Sequence, residues 1–345
     1  MTENVFRKKI SWFSFCFSLL VVWVHSYNAE LFLGHTEAAE FVYKIEHMLG
    51  DCLGQIAVPG FFMISGYLFY RNFRWDMLRG KWDRRIRSIL VPYILWNFLY
   101  YMGYVAGSRL PWVTDVVGKG TIPFTLSSTV DAVVNHTYNY VFWYLYQLIG
   151  LTVLAPVLYP LLKQRWRRIS LMAVLWYLVW KDISLPAVNP DALIYYGTGA
   201  ALAIMKKENE FWDPEQSWTP GRAFTGGVLC VAGGWLYYQS LRLALIPGFV
   251  LCRLFFVSGL WLMVPEEKLP GPWEFMEDSF FFYAVHFAFV RLINKTAAIF
   301  YTDVLWEPLL LFFFMPLIIL VISLLLGKIL KRWMPVFWKL LNGFR

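Results

Sequence analysis

The sequence predicts an all-α, polytopic membrane protein: about ten transmembrane helices around a polar intramembrane cavity, both termini cytoplasmic. Three observations carry that expectation. The 345-residue chain is 59% hydrophobic and 20% aromatic but only 16% charged, well below the roughly 25% charged of an average soluble domain. Apolar runs repeatedly approach or exceed about 18 residues, enough to cross a bilayer. Lysine and arginine gather in alternate connections, and the basic side of a membrane protein is the cytoplasmic one.

The first span covers residues 10–27, ISWFSFCFSLLVVWVHSY. Its polar residues Ser11, Ser14, Ser18 and His25 fall within an arc of roughly 60° at about 100° per residue. A helix facing only lipid has no reason to collect hydroxyls and an imidazole on one stripe, whereas a helix lining a polar cavity does. Arg7, Lys8 and Lys9 precede it and no small-residue cleavage site follows, so it reads as a retained helix and not a removed signal. The second span, 53–70, contains Pro59, Gly60, Ser65 and Gly66, which allow close helix approach. The third, 88–106, is entered through Arg84, Arg85 and Arg87. The fourth to eighth are placed at 141–162, 169–182, 190–205, 223–240 and 243–264, the fifth and sixth being short, and Arg253 lies mid-span in the eighth. The ninth, 279–296, puts Ser279, Tyr283, His286 and Asn294 on one face, a second polar stripe. The tenth covers 307–330.

One set of connections holds Arg71 to Arg87, Lys163 to Arg168, and Lys206, Lys207 and Arg222, while the other set holds only Lys44, Arg109, Lys119, Lys181, Arg242 and Lys295. The first set is therefore cytoplasmic. The long outer connections are 28–51 and 107–140, and Asp131–Tyr140 in the second reads as a surface helix. No repeat or low-complexity tract interrupts the pattern, which leaves a single domain over residues 1–345. The net charge of +8 sits between spans, so the expected partners are membrane lipids with anionic headgroups and the phosphates of a cytosolic cosubstrate, not nucleic acid. The four cysteines have no metal spacing and read as packing residues. No Gly-rich phosphate loop, zinc-ligand cluster or nucleophile elbow is present in the sequence, and no metal is expected.

Chemistry then rests on few residues. His25 near the outer end of its span is a general-base candidate, or else an inert histidine bonded at the headgroup boundary. His286 carries the same two readings. Arg253 either holds an anionic or carbonyl group of a substrate or pairs with a carboxylate elsewhere. Arg84, Arg85 and Arg87 are a positive-inside anchor or a clamp for the phosphates of a nucleotide-bearing cosubstrate. Glu46, His47 and Asp51 form an outer polar cluster that either orients His25 or faces water, its ordinary partner.

In order along the chain come His25, then Phe61, Phe62, Ser65 and Gly66 as Phe-Phe-x-x-Ser-Gly, then Arg84–Tyr93, a basic run leading to Pro-Tyr. Phe142–Leu145 (Phe-Trp-Tyr-Leu) with Pro156, Tyr196–Ala200, and Tyr283 with His286 follow. In that order and spacing the chain resembles the acyltransferase 3 family over essentially its whole length. The resemblance implies an integral membrane acyltransferase, multi-pass in a bacterial plasma (inner) membrane. It would move an acetyl or other short acyl group from acyl-CoA to a hydroxyl of a glycan or lipid-linked sugar. It implies His25 as the catalytic base, His286 as a second catalytic histidine, and Phe61, Phe62, Ser65, Gly66 and Tyr283 around the substrate cavity, to which the polar stripe of the first span adds Ser18 and the mid-span charge of the eighth adds Arg253. One position departs: eleven residues before the first-span histidine the family carries a basic residue, and here it is Ser14. The nearest cations to it are Lys8 and Lys9, closer to the cytosol, and Arg84, Arg85 and Arg87 are the first candidates to hold the donor in its place. Polar-striped helices and a mid-membrane arginine also suit a transporter or flippase without covalent chemistry, and a non-catalytic scaffold is a third reading.

Overall fold

In lipid a backbone can satisfy its own N–H and C=O groups only as a helix or a closed barrel, and runs this apolar and this rich in leucine choose the helix. The computed structural model describes residues 1–111, 113–114, 120–206, 212–301 and 304–344, and every regular element among them is helical. Lys119 and Lys207 of the charge pattern lie outside the described residues. The order is α1 (Glu3–His25), α2 (Ala29–Leu33), α3 (Glu37–Cys52), α4 (Ala57–Tyr70), α5 (Leu78–Arg85) and α6 (Val91–Gly107). Then come α7 (Leu126–Val134), α8 (Trp143–Val153), α9 (Ala155–Lys163), α10 (Arg165–Trp180) and α11 (Pro190–Ile204). The chain ends with α12 (Pro220–Leu243), α13 (Ile246–Met263), the single turn α14 (Glu274–Glu277), α15 (Ser279–Ile299), α16 (Trp306–Trp333) and α17 (Pro335–Leu341).

Against the ten spans expected, five stretches among the described residues are long and apolar enough to cross a membrane: Glu3–Leu33, Glu37–Tyr70, Trp75–Gly107, Ile246–Met263 and Trp306–Trp333. A sixth counts if α8 and α9, bent by 69°, are one broken span. Pro156 explains the break, because it has no N–H to continue the helical ladder across Leu154. The remaining segments fall short for local reasons. Helix α10 has 16 residues and opens on Arg165, Arg167 and Arg168, and α11 has 15. Helices α12 and α15 are long, but glycines dilute the first and His286, Arg291, Asn294 and Lys295 the second. The long connection expected over 28–51 contains α2 and nearly all of α3. Thr36 caps α3 by accepting from the Ala39 N–H at 3.1 Å. The surface helix expected over Asp131–Tyr140 is α7, which begins earlier and stops at Val134.

The chain divides into two compact units. The first comprises Met1–Phe17, Gln55–Asp83 and Gln147–Met276. Its centre is α4 against α11, backbone to backbone: a Cβ on Gly66 would lie 2.2 Å from the Tyr196 carbonyl oxygen, and one on Gly199 2.0 Å from that of Met63. Helices α12 and α13 form a hairpin on the same principle through Gly226 and Gly259. A polar network closes this unit. The Glu215 carboxylate accepts from Arg71 at 2.6 and 3.0 Å, from Lys206 at 2.6 Å and from the Tyr67 hydroxyl at 2.7 Å. Buried Lys9 donates to the Val264 carbonyl at 2.8 Å and pairs with Glu266 at 3.4 Å.

Burial pushes the Glu215 carboxyl up, but the hydrogen bonds from Arg71, Lys206 and Tyr67 outweigh it and leave the group below its ordinary 4.5. A carboxyl lowered by folding stabilises the folded state above the unfolded-state value and loses that contribution as pH falls through the folded value. The Glu215→Gln variant is therefore expected to melt below wild type at neutral pH, with the gap closing as the pH drops under 4.5. Thermal melts across a pH series check this, and a gap that stays constant with pH would refute it.

The second unit comprises Ser18–Gly54, Arg84–Tyr146 and Glu277–Arg345. Its core joins Val22 of α1 to Phe282 and Val290 of α15 and Met315 and Ile319 of α16. The C-terminal turn is tied in where the Trp96 indole donates to the Leu341 carbonyl at 3.0 Å and Lys331 pairs with Asp278 at 2.6 Å.

Candidate functional site

Two helices of the second unit bring the expected histidines together. His25 is the last residue of α1, so its side chain leaves a helix end, and it is only partly buried. His286 is at mid-length in α15 and fully buried. The imidazole centroids are 5.3 Å apart, with the rings tilted by 37°. Phe287 stands edge-on to His25 at 5.9 Å and to Tyr140 at 4.6 Å.

Each ring is held through its Nδ1. The His286 Nδ1–H donates to the Tyr283 carbonyl of its own helix. Its Nε2 is therefore an acceptor, and it is buried with no partner among the described residues. Such a lone pair costs stability unless something donates to it. The His25 Nδ1 lies 3.2 Å from the Tyr140 hydroxyl. When that nitrogen carries the proton and donates to the tyrosine oxygen, Nε2 of His25 has the lone pair a base needs.

The surroundings of α15 are polar and ordered. Tyr283 donates to the Val141 carbonyl at 2.7 Å and stacks on Phe142 at 5.8 Å, which fixes the entry to the fourth span beside the histidines. The Tyr100 hydroxyl bridges the backbone of α15, donating to the Ala284 carbonyl at 2.9 Å and accepting from the Ala288 N–H at 3.2 Å. Asn294 donates to the Ser26 carbonyl at 3.3 Å, eight residues and about two turns beyond His286 on α15. Arg291 donates to the Tyr104 hydroxyl at 2.9 Å and lies over Phe287.

Of the other expected site residues, Ser18 is buried in α1 within this unit. Arg84 and Arg85 end α5, and Arg87 lies in the π-helical turn Ile86–Leu90 that joins α5 to α6. Such turns bulge a helix and recur at functional positions. The side chains of Arg84 and Arg87 are exposed and that of Arg85 is half-buried. Ser14, Phe61, Phe62, Ser65, Gly66 and Arg253 belong to the first unit. There Gly66 serves close helix packing and Phe62 is buried. An apolar cavity of about 80 Å³ in that unit is lined by Met63, Ile64, Tyr67 and Leu68 of the same helix, and not by those motif residues. Arg253 is close enough to Asp191 and Tyr195 of α11 to act on both electrostatically, so the Asp191 carboxylate is the countercharge the same unit offers it.

Sequence reasoning missed Tyr140 and Phe287 as parts of the site. Tyr140 is 115 residues from His25 and no local pattern marks it. Phe287, adjacent to His286, is one phenylalanine among many in its helix.

The comparisons with known proteins follow that geometry. The family described as an acyltransferase domain, Acyl_transf_3, matches residues 9–328. The succinoglycan biosynthesis protein ExoH of Rhizobium meliloti (strain 1021) is 27% identical over 173 residues, which cover 46% of this chain and 44% of that protein. The match thus spans less than half the length of that relative. No solved structure matches the chain. With several long apolar helices and a family match over nearly its whole length, this multi-pass integral membrane protein belongs to the acyltransferase 3 family.

Proposed function

We propose that the protein is an acyl-CoA-dependent O-acyltransferase that moves an acetyl or other short acyl group to a hydroxyl of a glycan or lipid-linked sugar. In this reading ten helical segments cross a bacterial inner membrane with both termini in the cytoplasm. The observation that carries the proposal is the pair His25 and His286, 5.3 Å apart, with Nδ1 of His25 held by Tyr140. A neutral imidazole with one nitrogen oriented by a hydrogen bond is what general-base chemistry requires.

The acceptor hydroxyl gives its proton to Nε2 of His25 as its oxygen attacks the thioester carbonyl. The C–S bond breaks, an ester forms, and the CoA thiolate leaves and takes up the proton that His25 holds. His286, with its buried Nε2 acceptor, receives a hydrogen bond from the reacting group or from the protonated His25. Arg84, Arg85 and Arg87, at the cytosolic mouth of the third span, hold the donor phosphates through charge-assisted bonds. Acyl-CoA is a cosubstrate here and no metal takes part in these steps.

Purified protein in lipid nanodiscs, given radiolabelled acetyl-CoA and an oligosaccharide acceptor, is expected to release CoA and label the acceptor. Uptake of unmodified acceptor into proteoliposomes without CoA release would replace this reading with transport. Tyr140→Phe tests the positioning role. It is expected to lower kcat by about tenfold, the scale of one charge-assisted hydrogen bond at roughly 1.4 kcal/mol, with the KM for acetyl-CoA unchanged. An unaltered kcat would remove Tyr140 from the mechanism.

A further inference from the structure

The outer polar cluster is a built cavity and not a scatter of solvated groups. Tyr27, Asn28, Glu30, Tyr43, Glu46 and His47 line a space of about 580 Å³ in the second unit, within the roughly 300–1,000 Å³ of ligand clefts. His47 is sandwiched between two tyrosines, with ring centroids 4.1 Å from Tyr27 and 3.9 Å from Tyr43. Asp51 ties two of the three rings, accepting from His47 Nδ1 at 2.9 Å and from the Tyr27 hydroxyl at 3.0 Å. The backbone is shaped for it, since a Cβ on Gly50 would fall 1.9 Å from the Tyr27 hydroxyl oxygen. Fully buried Glu46 accepts from the backbone N–H groups of Asn28 and Ala29 at 3.0 and 3.2 Å and locks Asn28 at the cavity wall.

The lining is one-sided in its hydrogen bonding. With Nδ1 donating to Asp51, the neutral His47 ring presents Nε2 as an acceptor. Asn28 is 2% exposed, its amide nitrogen donates to the Pro308 carbonyl at 3.1 Å, and its Oδ1 is buried with no partner among the described residues. Glu30 adds an exposed carboxylate at the rim. Tyr43 is half exposed and offers an aromatic face. Acceptors with a flat aromatic surface call for a ligand rich in hydroxyl donors with an apolar face, and the carboxylates oppose an anion.

We propose that this cavity is a docking subsite for neutral pyranose units of the acceptor. Sugar hydroxyls donate to His47 Nε2 and to the Glu30 carboxylate at the rim, and a pyranose face lies on Tyr43. The proposal rests on the acyltransferase reading for its acceptor class. It assigns a function to residues that the general-base mechanism does not use.

The test is binding measured apart from turnover, in nanodiscs, because maltoside and glucoside detergents would occupy the site. The probes are maltotetraose, cellotetraose and laminaritetraose, with tetragalacturonate as the anionic contrast, read by saturation-transfer NMR and titration. At least one neutral probe is expected to bind wild type and His25→Ala alike. Tyr43→Ala, at an exposed position, and His47→Ala are expected to weaken that binding by about tenfold or more, the loss of one aromatic or polar contact. In the transfer assay Tyr43→Ala raises the acceptor KM with kcat held. Absence of binding by every neutral probe, equal affinity in Tyr43→Ala, or tighter binding of tetragalacturonate would each overturn the proposal. Sugar binding that depends on Tyr43 in a protein that releases no CoA would leave the subsite standing and defeat the acyltransferase reading alone.

Discussion

Replacing His25 with alanine is expected to lower acyl transfer by roughly a hundred- to ten-thousand-fold, the range that a positioned general base supplies. Melting should stay close to wild type. The side chain is only partly buried at the end of α1, and the Tyr140 hydroxyl is its one hydrogen-bond partner among the described residues, so its removal opens no core cavity and buries no charge. His25→Gln sharpens the test, because it retains a hydrogen bond to Tyr140 but has no basic nitrogen, and it should be as inactive as the alanine variant. Initial rates of CoA release at saturating donor, set beside thermal melts of the same preparations, separate loss of chemistry from loss of fold. Full turnover in either variant would end the general-base role. The same assay on His286→Ala asks whether its buried Nε2 has a part in the reaction. The transfer rate should fall while the KM for acetyl-CoA stays put, because His286 is on α15 and the arginines proposed to hold the donor are on other elements.

The two polar stripes in the first and ninth apolar runs were legible because a 3.6-residue period survives even in a short window. The stripe predicts that Ser18 and His25 share a face with something other than lipid, and the fold puts His25 beside His286. What the period cannot encode is which distant residue meets the stripe. Tyr140 follows a helix that ends early, at Val134, and a left-handed residue at His136, before a 3₁₀ turn begins at Tyr140 itself. Nothing within that decapeptide specifies contact with α1.

Membrane spans were less legible for a related reason. Composition sets the total apolar content, but the chain divides it unevenly. The fourth run breaks at Pro156, and the ninth carries His286, Arg291, Asn294 and Lys295 on a helix of 21 residues. Arg253 shows the limit from the other side. From sequence its charge has two equal explanations, and Asp191 and Tyr195, which decide its company, come from α11 about 60 residues earlier. The outer cluster of Glu46, His47 and Asp51 was visible as charge at i, i+1 and i+5. That it encloses a space required Tyr27 to fold back over Gly50.

The largest effect on stability is expected at Gly66 and Gly199, where two backbones meet in the first unit. A Cβ on Gly66 would come within 2.2 Å of the Tyr196 carbonyl oxygen and 3.2 Å of the Ala200 nitrogen, and one on Gly199 within 2.0 Å of the Met63 oxygen. Flexible side chains could swing away from such a group, but carbonyls inside α4 and α11 cannot, so the helices must separate. Inserting methyl groups into a packed core costs about 1–3 kcal/mol even where side chains can yield, and helix pairs in lipid depend on this kind of close fit because no hydrophobic force between them compensates. Gly66→Val and Gly199→Val are therefore expected to lower the melting temperature sharply or leave no folded protein. Gly234→Ala, where an added Cβ meets nothing within 4 Å, should be neutral or gain up to about 1 kcal/mol from helix propensity. Purified yield and melting temperature of the three variants decide the matter. Gly66→Val that melts like wild type but loses transfer would mean that the Phe61–Gly66 segment forms a wall of the reaction cavity and not a helix contact.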